Sequence, residues 1–315
     1  MKAAVQPLIL LLTVLYQSIT VLNGVPIYGP EMRIALGGNY KYAFTSLITN
    51  RSSTNFEEKY LCTSIMISDK HVITVAECLQ NLPLSELEVT FGYTDRSKVE
   101  ITDNSGSSSA NVDDEFGMQV VPAKKTETFK EWSERKGKPI NLPVYNDIAV
   151  IELQDYPGFM PALIPFTNYD QKIGSPVQML AWGKVAIGNE LLRQLQLPQK
   201  APMKIMSRSA CENKVDSISR SYTKFNLPNN VYCIIGSTPT VALHGDIGGP
   251  ILDMSNNLVG MIVKRVPGST FNWLDKSHVN PVLRLGGFQD FIEDTAQLKL
   301  GPVMKILGKV KINHA

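Results

Sequence analysis

Residues 244–252 read HGDIGGPIL, in which three glycines and a proline crowd around Asp246 and Ile247. Glycine at that density means that the backbone takes positive φ angles, or that something approaches the main chain closely. Isoleucine is a poor residue for a tight turn, because its branched Cβ restricts χ1 and resists unusual backbone angles. The question is therefore what this turn does, and why Ile247 stands at its centre.

Around the turn, short apolar runs alternate with turn signals. AFTSLIT (43–49), CTSIMIS (62–68), HVITVA (71–76), LEVTFGY (87–93) and DIAVIEL (147–153) fill the first half. VQMLAWG (177–183), APMKIMS (201–207), VYCIIG (231–236), PILDM (250–254) and LVGMIVKRV (258–266) follow in the second. Rich in Val, Ile, Thr and aromatics and of strand length, they predict an all-β chain of many antiparallel strands. Helical periodicity comes mainly late, in RLGGFQDFIEDTAQ (284–297), and predicts a terminal helix. Two long segments carry no structure signal: residues 102–116, polar and rich in glycine and serine, and residues 121–146, charged and broken by prolines. Asp113, Asp114 and Glu115 lack the ordered spacing of a calcium loop and read as an exposed acidic stretch.

At 315 residues the chain can bury a substantial core, and its length suggests about two folding units. A net charge of +2 gives no argument for nucleic-acid or membrane partners. The N-terminus has Lys2, an apolar run from Leu8 to Tyr16 and a small residue at Gly24. That is the layout of a secretory signal peptide over residues 1–24, with a run too short to span a bilayer. No later segment is long and apolar enough for a membrane span, so the mature chain is expected to be secreted and extracellular.

In an oxidising compartment Cys62, Cys78, Cys211 and Cys233 favour disulfides. Four cysteines allow three pairings, and the local one joins Cys62 to Cys78 and Cys211 to Cys233. No CxxC pair or close Cys/His cluster suggests a metal, and no cofactor is expected. The sequon NRS makes Asn50 a candidate glycan site. Residues 294–315 read as a basic extension, with Lys299, Lys305, Lys309 and Lys311 and no acid among residues 298–315.

Further stretches line up with the glycine turn. TVAECL (74–79) places Glu77 beside Cys78, NDIAVIEL (146–153) places Asp147 at the head of an apolar strand, and AWG occupies residues 181–183. With GDIGGPIL, the spacing from Cys62 to Cys78, and LRQLQLPQKAPMKIMSRSAC (192–211), the chain over residues 25–293 resembles the chymotrypsin-like (S1) serine proteases. The resemblance implies two packed antiparallel six-stranded β-barrels, trypsin-like, with a C-terminal helix and a barrel boundary near residues 155–165. It also implies peptide-bond hydrolysis by a serine nucleophile, a histidine base and an aspartate that orients the histidine. The family patterns are TAAHC, DIAL and GDSGGP. Position by position, Glu77 stands where the histidine belongs, Asp147 keeps the aspartate, and Ile247 replaces the serine.

A hydroxyl must attack the carbonyl, and a base within hydrogen-bonding reach must take its proton. Isoleucine has neither lone pair nor transferable proton, so Glu77 has nothing to activate. None of the histidines, at 71, 244, 278 and 314, falls at the base position. The turn itself is kept: Gly245 and Ile247 would still point N–H groups where the family holds an oxyanion. The resemblance carries the substrate pocket to Val241, which is not an acid, and to Val263, Lys264 and Arg265, which stand in GMIVKR where the family has GIVSWG. The resemblance implies that Arg265, at a usual glycine, would obstruct the channel.

In the family a new N-terminal Ile-Val-Gly-Gly pairs its ammonium with the aspartate before the serine, here Asp246. The counterpart is IYGPE from Ile27, which follows Pro26 rather than a basic residue; RIALGG from Arg33 fits the spacing of the next strand less well. Either Ile27 reaches Asp246 or other partners hold that charge, since a buried charge needs pairing. Glu77 and Asp147 form either a non-reactive cleft floor or a new acid/base pair.

The expected function is that of a secreted, non-catalytic serine protease homologue. It would bind extracellular proteins, such as proteases or their zymogens, as a regulator, cofactor or decoy in a protease cascade. The resemblance places such homologues in arthropod immunity and venoms. Residues 102–116 and 121–146, with Lys264 and Arg265, are the candidate contact surfaces. The competing expectation is an S1 hydrolase with an altered site. Signal cleavage after Gly24, then loss of Val25 and Pro26, exposes Ile27. N-terminal sequencing of the secreted chain should therefore read Ile27 first, and a start at Val25 removes that route.

Overall fold

The computed structural model describes residues 33–34, 44–53, 60–91, 119–138, 145–158, 173–182, 184–187, 190–194, 199–218, 225–236, 242, 245–263 and 279–298. A two-residue strand, β1 (Arg33–Ile34), comes first. Then β2 (Thr45–Asn50), β3 (Tyr60–Ser68), β4 (His71–Thr74), β5 (Leu87–Phe91), β6 (Gln119–Thr128) and β7 (Ala149–Leu153) close a barrel in the order β2-β3-β4-β7-β6-β5. Every pairing in it is antiparallel. Ile48, Ile65, Ile73, Val89 and Ile151 are fully buried in this barrel. Each contributes about 1.5–3 kcal/mol by leaving water.

The second barrel begins with β8 (Pro176–Ala181). β9 (Lys184–Ile187) and β10 (Glu190–Gln194) pair with each other as a hairpin. β11 (Gln199–Ile205), β12 (Val231–Gly236), β13 (Pro250–Leu252), β14 (Leu258–Ile262) and β15 (Val279–Leu283) complete the set. The order β11-β12-β15-β14-β13-β8, with β8 pairing back to β11, closes six strands, and β1 attaches to β11. Ile234, Ile251, Met261 and Val282 are fully buried in it. The trypsin-like architecture of two six-stranded barrels is thus present, and each of the ten apolar runs contributes a strand.

Residues 121–146 differ from expectation. They hold most of β6 and a helix, α1 (Phe129–Arg135). The charges that hide β6 in the sequence lie on its outer face: Lys124 and Lys125 are exposed while Val121 and Ala123 are buried. α1 starts with a capping box. The Thr128 hydroxyl accepts from the Glu131 N–H, and the Glu131 carboxylate accepts from the Thr128 N–H at 2.7 Å. A second unforeseen helix, α2 (Arg208–Ile218), follows β11. The late helical pattern appears as a 3-10 turn, Leu285–Phe288, and α3 (Gln289–Ala296).

The disulfides are local: Cys62–Cys78 ties β3 to the turn after β4, and Cys211–Cys233 ties α2 to β12. Closing loops of 16 and 22 residues stabilises by about 3 kcal/mol each in the chain-entropy account. Among the described residues no helix is long and apolar enough to cross a membrane.

α1 and α3 clasp each other. Phe129 meets Phe288 edge-on at 4.9 Å, and Trp132 meets Phe291 at 5.8 Å. Beside this aromatic layer Asp294 accepts from Trp132 Nε1 at 2.8 Å and Lys136 Nζ at 2.9 Å, with Arg135 Nη2 at 3.3 Å. The buried Glu127 receives Arg135 Nε and the Thr295 hydroxyl. Hydrogen bonds from Lys136, Trp132 and Arg135 hold the Asp294 carboxyl down at about 2. A depressed folded value gives stability that is present above the ordinary carboxylate range and lost as pH falls from about 4 toward 2. Thermal melts of Asp294→Asn should therefore show a lower Tm than the parent chain at pH 7, with the difference shrinking as pH falls toward about 2.

Candidate functional site

Glu77 reaches the site on a 3-10 turn, Ala76–Leu79, that follows β4 and is pinned by Cys78. Its backbone N–H donates to Asp147 Oδ1 at 2.8 Å, so the two positions are brought together at the mouth of β7. The Tyr145 hydroxyl donates to Asp147 Oδ2 at 2.9 Å. Burial pushes the Asp147 carboxyl above its ordinary value; bonds from the Glu77 N–H, the Tyr145 hydroxyl and the Ala76 N–H oppose the shift, and the Glu77 charge adds to it.

Tyr145 carries no signal in the sequence as a site residue, yet it sits between the barrels. Its N–H donates to Asn230 Oδ1 at 2.9 Å, and Asn230 Nδ2 donates back to the Tyr145 carbonyl at 2.5 Å. Asn230 leads directly into β12 of the second barrel. Asp147 is therefore anchored to the first barrel through Glu77 and tied to the second through Tyr145.

His71 is placed away from this cluster. It lies at the far end of β4, where it pairs with Glu152, while Thr74 at the near end pairs with Ala149. Three strand residues amount to about 10 Å. Its Nδ1 is 2.8 Å from the Ser68 hydroxyl, and burial lowers its pKa. The other three histidines lie outside the described residues.

The glycine turn is built from close approaches. Positive φ falls on Gly245 (95°) and Gly248 (85°), which leaves Ile247 in the ordinary half of backbone space. A Cβ on Gly248 would come within 2.1 Å of the Thr63 carbonyl oxygen, and one on Gly249 within 2.5 Å of the Leu180 carbonyl oxygen. Thr63 of β3 holds the turn: its N–H donates to the Ile247 carbonyl and its hydroxyl to the Gly245 carbonyl, each at 2.8 Å. Thr74, just before the Glu77 turn, donates to the Thr63 carbonyl at 2.9 Å. On the other side the Gly248 N–H donates to Ile262 and the Gly249 N–H to Asp246.

The Ile247 side chain is core: the residue is 5% exposed and belongs to the main apolar cluster. Val263 is 1% exposed and continues the β14–β15 pairing by donating its N–H to the Pro281 carbonyl. Asp246 is completely buried and Gly245 is buried beside it. Val241, Lys264, Arg265 and Ile27 lie outside the described residues. Gly248→Ala should cost about 3 kcal/mol or more, since it adds an overpacked methyl to a left-handed backbone. Gly286→Ala, whose added carbon meets nothing within 4 Å, should change stability by about 0.5 kcal/mol or less. Urea unfolding of the two variants compares them.

The comparisons with known proteins agree with this geometry. A profile of the trypsin family, described as Trypsin, matches residues 40–270. Phenoloxidase-activating factor 1 of Holotrichia diomphalia is 20% identical over 264 residues, covering 80% of this chain; the chain spans 66% of that relative's length. The VesB protease of Vibrio cholerae has a similar fold at a TM-score of 0.57 and 17% identity, with 85% of this chain and 68% of that one covered. Human heparin binding protein matches at a TM-score of 0.57 and 16% identity, covering 87% of this chain and 99% of that one. With a profile match over more than half its length and two six-stranded barrels meeting at a buried glycine turn, the chain belongs to the trypsin family.

Proposed function

We propose that this chain is a secreted, non-catalytic trypsin-family protein that acts by binding other extracellular proteins, as a regulator, cofactor or decoy in a protease cascade. One observation carries the reading: Ile247, which stands where the GDSGGP pattern has its serine, is a hydrocarbon side chain packed into the core. Acyl transfer needs a lone pair to form the bond to the carbonyl carbon and a base to accept the proton. Here Glu77 stands in place of the base, and Asp147 is committed to Tyr145 and the Glu77 main chain. At position 247 itself, the turn that would hold an oxyanion carries no nucleophile to generate one.

The name of the Holotrichia diomphalia relative, an activating factor, supports a role exercised on another protein. So does the scaffold: two rigid barrels keep presenting surface segments after the chemistry is lost. Two of the proposed contact elements, β6 and α1, carry exposed Lys124, Lys125, Lys130, Arg135 and Lys136. Of these, Lys124 pairs with Glu152 and Lys130 with Glu134. Exposed pairs of this kind are worth about 0–1 kcal/mol and exchange readily for pairs with a partner.

Fluorophosphonate labelling and a panel of peptide and ester substrates test the reading. The wild-type chain is expected to take no label and cut nothing, and Glu77→His combined with Ile247→Ser is expected to stay inactive, because the channel positions Val263, Lys264 and Arg265 are unchanged. A covalent tag on a serine of the wild-type cleft, with hydrolysis blocked by that tag, overturns it. Affinity capture from extracellular fluid of the source organism then identifies the binding partner.

A further inference from the structure

We infer that Asn50 carries an N-linked oligosaccharide, placed on the rim of the seam between the two barrels. Asn50-Arg51-Ser52 is the only acceptor sequon in the 315-residue chain. The motif couples an asparagine with a hydroxyl two residues on, and here the two touch. The Ser52 hydroxyl lies 2.9 Å and the Ser52 N–H 3.0 Å from Asn50 Oδ1, and both contacts leave the carboxamide nitrogen unused. The hydroxyl also lies 2.7 Å from Glu86 Oε2, and the Arg51 N–H donates to the Glu86 carbonyl, so the acceptor turn is held in one shape.

The turn is also accessible. Asn50 closes β2 and is partly exposed, Ser52 is exposed, and the Arg51 side chain is 68% exposed. In the transfer, the Asn50 carboxamide nitrogen forms a bond to the anomeric carbon of a lipid-diphosphate-linked oligosaccharide. The bond from that carbon to the diphosphate oxygen breaks, the lipid diphosphate leaves with the electron pair, and one amide proton passes to a base of the transferase.

The location gives the modification a consequence. Leu47 of β2 pairs with Thr63, the residue that holds the glycine turn. Asn50 is three residues further along the same strand, about 10 Å away. A glycan there stands beside the first-barrel side of the cleft and limits which surfaces reach it from that direction. The inference rests on passage through a secretory compartment and is independent of whether the cleft is catalytic.

The full chain with its leader, expressed in eukaryotic secretory cells, tests it. The secreted wild type is expected to gain mobility on treatment with peptide N-glycosidase F, with aspartate appearing at position 50 in the peptide map. Asn50→Gln and Ser52→Ala should lose the shift, and Ser52→Thr should keep it. Should Asn50→Gln fail to be secreted, the two variants at the exposed position 52 carry the test. An unmodified Asn50 peptide from the wild-type chain, secreted or retained, overturns the inference.

Discussion

Thr63 is the contact on which the site depends. Its hydroxyl donates to a carbonyl 182 residues away in the sequence, at Gly245, and its N–H donates to the Ile247 carbonyl. Its own carbonyl accepts from Thr74, and its hydroxyl lies 3.4 Å from the Trp182 N–H. One fully buried residue of the first barrel is thus bonded to two separate stretches of the second. The apolar counterpart is the packing of Leu47, which faces Thr63 across β2 and β3, on Trp182. The glycines at 248 and 249 follow from this seam: a buried hydrogen bond must be short to offset the loss of water, and side chains there would hold the backbones apart.

This constraint separates the shape of the turn from its chemistry. Every bond that Thr63 makes to the turn goes to a carbonyl, and a carbonyl is indifferent to the side chain at position 247. Serine and isoleucine present the same main-chain acceptor, so a turn of this kind accommodates either residue. The same holds for Asp147. Its carboxylate bonds the main chain of Glu77 and the hydroxyl of Tyr145, neither of which requires an imidazole. An aspartate that also joins two barrels has a structural reason to stand at this position whatever residues occupy 77 and 247.

The apolar strands were legible in the sequence because burial imposes their composition: HVIT and AVIEL are read as strands whatever surrounds them. The terminal helix was legible from its periodicity, and the presence of disulfides from the expected compartment, while the sequence left three cysteine pairings open and the structure has the local one. β6 and α1 were not, since the lysines and glutamates of residues 124–136 mask a core face that rests on Val121, Ala123 and Trp132. The spacing Thr128-x-x-Glu131 was the available signal for that helix. Tyr145 was out of reach altogether, because its role depends on Asn230, 85 residues downstream, and nothing local marks either residue.

The smallest strand has the widest effect on how the molecule is joined. β1 precedes the whole first barrel in the chain, yet Arg33 and Ile34 pair with Lys200 and Gln199 of the second. The polypeptide therefore visits the second barrel, builds the first, and returns to finish the second. The two halves are interlaced like links rather than strung like beads. Severing the covalent bridge between the barrels would leave the N-terminal fragment still holding a strand of the second.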